Sequence, residues 1–164
     1  MFFTPNLKRK RGANKWLVQP FPKLESEKQY EGVFTGILVE VSTKEDIIAL
    51  YDNGFYGKGS HSRSMPLVVL QSSHCKNVLE NENDNRETLC LGLEEAFFLS
   101  YYLKVLKICD MDSKEMPFEV FLQEALKVNA EFVESLASYL YLKSKGWVVK
   151  SGLKFGGHFC KYYE

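Results

Sequence analysis

Residues 16–41 read as extended chain, and 33–41 suits a strand because β-branched and aromatic side chains dominate it (Val33, Phe34, Thr35, Ile37, Val39 and Val41). The polar stretch Ser42-Thr43-Lys44-Glu45-Asp46 follows. Ser42 or Thr43 can cap a helix, with Glu45 or Asp46 three residues on completing a capping box. That helix carries Ile47, Ile48, Leu50 and Tyr51, and Gly54 ends it. Beyond a glycine-rich segment, Pro66 precedes Leu67-Val68-Val69-Leu70, which reads as a short buried strand. Residues 71–88 are polar and rich in Asn and Glu, with little apolar periodicity, and read as a linker.

The second half opens on residues 91–108, apolar nearly all round, which suggests a central buried helix. Pro117 suits the first turn of a second helix with Phe118, Phe121, Leu122 and Ala125 at i, i+3, i+4, i+7. A third helix places Phe132, Val133, Leu136, Ala137 and Leu140 on one face; Lys143 and Lys145 lie in its last turn and Gly146 stops it. Trp147-Val148-Val149 begins a strand. Gly152 and Gly156-Gly157 mark turns, and 158–163 reads as another strand. The expected fold class is α+β. It divides into a basic tail (1–15), a small N-terminal α/β unit (16–70), a linker (71–88) and a second domain (89–164) of three helices and then a sheet whose last strands are missing.

Composition adds little to that picture and removes several functions from it. The 164 residues are 45% hydrophobic and 26% charged, enough apolar material for a core. Lys+Arg and Asp+Glu both number 21, so no net charge draws the chain to nucleic acid, and any RNA affinity needs local patches or partners. Lys8-Arg9-Lys10-Arg11 is the one basic run, a nuclear-import signal or phosphate-contacting arm set against a merely solvated terminus. Cys75, Cys90, Cys109 and Cys160 form no CxxC pair and read as reduced thiols, with no metal or cofactor expected. The first twenty residues lack a signal-peptide core, and Glu94, Glu95, Lys104 and Lys107 interrupt the longest apolar stretch, so a soluble intracellular protein is expected.

Three runs occur in an order that resembles a known family. They are Tyr56-Gly57-Lys58-Gly59 with Ser62-Arg63-Ser64 and Pro66, then Leu93-Glu94-Glu95-Ala96-Phe97-Phe98-Leu99 with Tyr101, then Ser144-Lys145-Gly146-Trp147-Val148-Val149-Lys150-Ser151-Gly152-Leu153-Lys154-Phe155-Gly156. The chain resembles the tRNA-splicing endonuclease catalytic subunits of eukaryotes that cut the 5′ splice site. Taken singly each run has a plain reading: a turn, a helix start, a helix stop before a strand. Gly57-Lys58-Gly59 reads as a turn ahead of a phosphate cradle, because no Walker-type Ser/Thr and helix follow it.

The resemblance implies metal-independent cleavage of pre-tRNA by attack of a 2′-hydroxyl on the neighbouring phosphate, leaving a 2′,3′-cyclic phosphate and a 5′-hydroxyl. A Tyr serves as general base, a His as acid and a Lys as the charge that stabilises the transition state. Carried over along the last strand, the Tyr is Tyr162, with Tyr163 an adjacent competitor; a one-residue slip would reverse the face. The family's His and Lys are expected beyond Glu164, so the sequence suggests a C-terminally truncated form that does not cut alone. His158 would share a face with Tyr162 but lie about 13 Å away along an extended strand, too far to serve one phosphate. His61 reads as a surface residue, and His74 falls in the linker. The implied setting is a nuclear heterotetramer with a second catalytic subunit and two structural ones. The alternatives are a non-catalytic scaffold subunit or isoform of that complex, and a generic RNA-binding α+β domain.

Overall fold

A computed structural model describes residues 29–72, 87–152 and 156–162. The basic run 8–11, Cys75, His74 and Tyr163 lie outside the described residues. The chain is α+β, as the sequence suggests.

Strand β1 (Tyr30–Phe34) and strand β2 (Val39–Val41) form an antiparallel hairpin with Val33 opposite Glu40. The single strand expected over 33–41 is therefore two. The break comes at Gly36, whose φ of +98° only glycine adopts freely, and the Thr35 amide donates to the Leu38 carbonyl at 2.9 Å across the turn. Helix α1 (Lys44–Asp52) follows with Thr43 as its N-cap residue. The expected capping box does not form, since Thr43 makes no side-chain capping bond. Asp46 instead accepts a hydrogen bond from the Glu31 amide at 3.4 Å, tying the helix to β1.

Strand β3 (Lys58–Gly59) is two residues long, and helix α2 (Leu67–Ser72) stands where a buried strand was expected. Its burial explains the difference. Val69 is 3% exposed and Leu70 44%, which suits one face of a helix better than a strand covered on both sides. The helix also receives a carboxylate at its first amide, described below.

Residues 91–108 are not one helix. Strand β4 (Leu89–Leu91) ends at Gly92, helix α3 (Leu93–Phe97) runs into a π-helical turn (Phe98–Tyr102), and strand β5 (Leu106–Cys109) completes the segment. Lys104, at φ +57°, turns the chain between the π-helical turn and β5. Apolar runs do not distinguish buried helix from buried strand by periodicity. Here the available strand partners decide: β4 pairs with β2, and β5 pairs parallel to β1 with Tyr30 opposite Leu106.

The sheet order is β3-β4-β2-β1-β5. Strands on both sides of 71–88 thus belong to one sheet. Helix α4 (Phe118–Val128) and helix α5 (Phe132–Ser144) form as expected. The buried face of α5 differs from the expected one. Phe132, Ser135, Leu136, Tyr139 and Lys143 are buried, whereas Val133 is 53% exposed. Strands β6 (Val148–Ser151) and β7 (Phe159–Tyr162) form a separate antiparallel pair. Among the described residues no helix is long and apolar enough to cross a membrane.

Candidate functional site

The three sequence runs that stood apart in the chain meet in space at the turn 55–59. The turn itself is built from α1 outward: the Phe55 amide donates to the Tyr51 carbonyl at 2.8 Å, and β3 then pairs with β4. From the second run, Glu95 on α3 accepts hydrogen bonds from the Gly57 amide at 3.3 Å and the Gly92 amide at 3.2 Å. From the third, Lys150 on β6 donates to the Phe55 carbonyl and, at 2.5 Å, to the Gly57 carbonyl. Its ammonium also lies 5.4 Å from the centre of the Tyr51 ring. Lys143 of α5 approaches the other side, 4.5 Å over the Tyr56 ring and 5.9 Å from that of Phe98. Such cation–ring contacts gain strength when water is excluded, and Lys143 is only 3% exposed. The turn reading of Gly57-Lys58-Gly59 holds at Gly57, at φ +65° with protein groups on both its amide and its carbonyl, while Lys58 and Gly59 form β3.

Burial shifts the charged groups here. It pushes the Lys150 ammonium below the usual lysine range, with Glu95 opposing and Lys58 adding to the shift. Tyr139, between α5 and this cluster, has a fully buried hydroxyl with no hydrogen-bond partner among the described residues. Burial, followed by the Glu95 charge, raises its pKa well above the ordinary tyrosine value. A short bond from Ser135 Oγ to Glu94 Oε1, 2.6 Å, ties α5 to α3.

A second polar centre lies beside β3. The Glu87 carboxylate, 8% exposed, accepts from the amides of His61 (3.2 Å), Ser62 (2.7 Å) and Leu67 (2.6 Å). It thereby pins the loop 59–67 and places negative charge at the start of α2. Gly59 is required at this point, since a Cβ there would meet Glu87 Oε1 and Ser62 Oγ at 2.2 Å each. Burial raises the Glu87 pKa, but the bonds from Leu67, Ser62 and His61 outweigh it and leave the carboxyl below the usual range. Glu87→Gln should cost about 2–3 kcal/mol, because an amide NH₂ would face backbone donors. The sign with pH follows from the lowered native pKa. The stabilisation is complete above the ordinary glutamate range and is lost as pH falls through the native value. Chemical denaturation of both proteins should show a gap at neutral pH that closes in acid; a gap constant with pH would contradict this account.

The structure places the proposed site residue on β7, where the Tyr162 backbone pairs with Val148 of β6. His158 is not on that strand but exposed in the bend before it, so the even-spacing comparison with Tyr162 does not apply. His61 is exposed in the loop held by Glu87, the surface position expected for it. Neither histidine is brought to the 55–59 cluster. Sequence reasoning missed Glu87, Glu95, Lys143 and Lys150 as structural anchors. Lys143 did leave a signal: it continues the stripe Phe132, Leu136, Tyr139 at i, i+4, i+7, i+11, where a lysine is out of place unless paired.

Residues 30–122 match the family profile of the tRNA intron endonuclease N-terminal domain, and residues 132–164 match that of the tRNA intron endonuclease catalytic C-terminal domain. The chain belongs to the tRNA intron endonuclease family. The first match ends within α4, and the second begins at the first residue of α5. The chain is 38% identical over 86 residues to tRNA-splicing endonuclease subunit Sen2-1 of Arabidopsis thaliana, covering 52% of this chain and 35% of that protein. It is 40% identical over 76 residues to subunit Sen2 of Mus musculus, covering 46% and 16%. Over 144 residues it is 28% identical to the tRNA-splicing endonuclease of Methanosarcina mazei, covering 88% and 33%. The chain thus spans about a third or less of the length of each of these relatives.

Proposed function

We propose that this chain is a subunit of a nuclear tRNA-splicing endonuclease and cuts intron-containing pre-tRNA at the 5′ splice site together with a second catalytic subunit and two structural ones. The observation that carries the reading is the match of the α5–β6–β7 region, residues 132–164, to the family's catalytic domain. The relatives' names support the substrate class. In this reaction the ribose O2′ gives up its proton and bonds to the adjacent phosphorus, the P–O5′ bond breaks, and O5′ takes a proton from the histidine acid that the family resemblance implies. Tyr162 serves as the base that receives the 2′-hydroxyl proton. An unperturbed tyrosine has a pKa near 10, so little of it is phenolate at neutral pH. The chemistry requires no metal.

The end groups of the products test this. The assembled endonuclease should release a 5′ exon ending in a 2′,3′-cyclic phosphate and an intron with a free 5′-hydroxyl that a polynucleotide kinase labels directly. A metal chelator should leave the rate unchanged. A 3′-hydroxyl with a 5′-phosphate, or dependence on a divalent ion, would overturn the proposal.

A further inference from the structure

The β6–β7 pair has no strand-to-strand bond to the five-stranded sheet among the described residues. Its apolar side, Val149 with Trp147 and Phe159, packs on the core. Apolar contact is non-directional and fixes position loosely. Lys150 supplies a directional tie: its one ammonium reaches two carbonyls of the 55–59 turn, and that turn is itself held through the Gly57 amide by Glu95. Lys150 pairs with Cys160 on β7, two positions along β6 from the Val148–Tyr162 pair, about 7 Å on an extended strand.

We propose that Lys150 is a positioning residue whose ammonium, seated on the Phe55 and Gly57 carbonyls, sets the placement of β6 and β7, and with them the Tyr162 backbone, against the sheet of β1–β5. The part that concerns Tyr162 rests on the functional proposal above; the part that concerns strand placement does not. The groups facing the ammonium are Glu95 of α3, Lys58 of β3 and the Tyr51 ring of α1. Burial, then Asp52, raises the pKa of Tyr51. The lowered Lys150 pKa adds a consequence: the tie should release in alkali before ordinary lysines titrate.

Amide hydrogen exchange in the full chain tests this. Lys150→Met keeps most of the stem and removes the donors. It should speed exchange in Val148–Ser151 and Phe159–Tyr162 at least tenfold, with β1, β2 and β4 unchanged. No acceleration there, or equal acceleration everywhere, would overturn the proposal. Should the variant not fold, the unaltered chain at rising pH gives the answer. After correction for base-catalysed exchange, β6 and β7 should lose protection at a lower pH than β4; loss in step would overturn it. In the assembled endonuclease, Lys150→Met should lower kcat for pre-tRNA with little change in KM. An unchanged kcat alongside faster β6–β7 exchange would overturn the link to Tyr162, whose own role is judged separately by its phenylalanine variant.

Discussion

Phe97→Ala is expected to lower the unfolding free energy by about 3–5 kcal/mol, enough to remove much of the stability of a domain this size. Phe97 is 3% exposed at the end of α3. Its ring lies 4.9 Å from Tyr101, 5.2 Å from Phe118, 5.7 Å from Phe132 and 6.3 Å from Phe121, centre to centre. It therefore joins α3, the π-helical turn, α4 and α5 at one point. Alanine would leave a cavity walled by rigid rings held on different elements, which cannot all move in to fill it. Phe118→Ala makes a useful contrast, because Phe118 is 42% exposed and loses less contact with the core. Urea denaturation of both should give a loss for Phe97→Ala at least twice that for Phe118→Ala. Equal losses would place the centre of the aromatic cluster elsewhere.

Tyr162→Phe is expected to slow 5′-site cleavage by the assembled endonuclease about 10²–10⁴-fold, the usual contribution of one acid–base group. The substitution removes only the hydroxyl, and phenylalanine is as good a strand former as tyrosine. The β6–β7 pairing, which uses backbone groups with Val148 opposite position 162, should survive. The loss should therefore fall on kcat, with KM for pre-tRNA nearly unchanged. Tyr163→Phe settles the register. If Tyr162 is the base, the neighbouring change should cost little; if the effects are reversed, the assignment moves by one residue. Equal activity of both variants and the unaltered chain would remove tyrosine from the mechanism.

How far the sequence was legible varied with the element. α4 and α5 announced themselves through apolar spacing, Pro117 and Gly146, all of them local signals. The 55–59 turn was legible as a turn for the same reason, since its glycines sit between a helix end and a polar loop. The face of α5 was not. Hydrophobicity chose Val133 and Ala137, but the fold buries Ser135, Tyr139 and Lys143 because Glu94, Phe98 and Tyr56 wait for them. Polar residues enter a core when a partner is already there, and a partner forty to ninety residues away leaves no trace in local periodicity. Glu87 is the extreme case. It sits at the end of a polar run that read as linker, yet three amides hold it.

By itself the sequence determined the α+β class, the existence of the three helices that the fold bounds at Lys44–Asp52, Phe118–Val128 and Phe132–Ser144, and, through the resemblance of three ordered runs, the family. The class and the helices follow from spacing and turn chemistry within a few residues; the family rests on the resemblance of the three runs. Only the tertiary structure decided that residues 67–72 form a helix and that 91–108 divide into strand, helix and strand. Burial and strand pairing made those choices, and both depend on distant parts of the chain. The same long-range contacts gathered the three runs around one turn and made Lys143 and Lys150 anchors, since a lysine is buried only where rings or carbonyls from elsewhere replace its water.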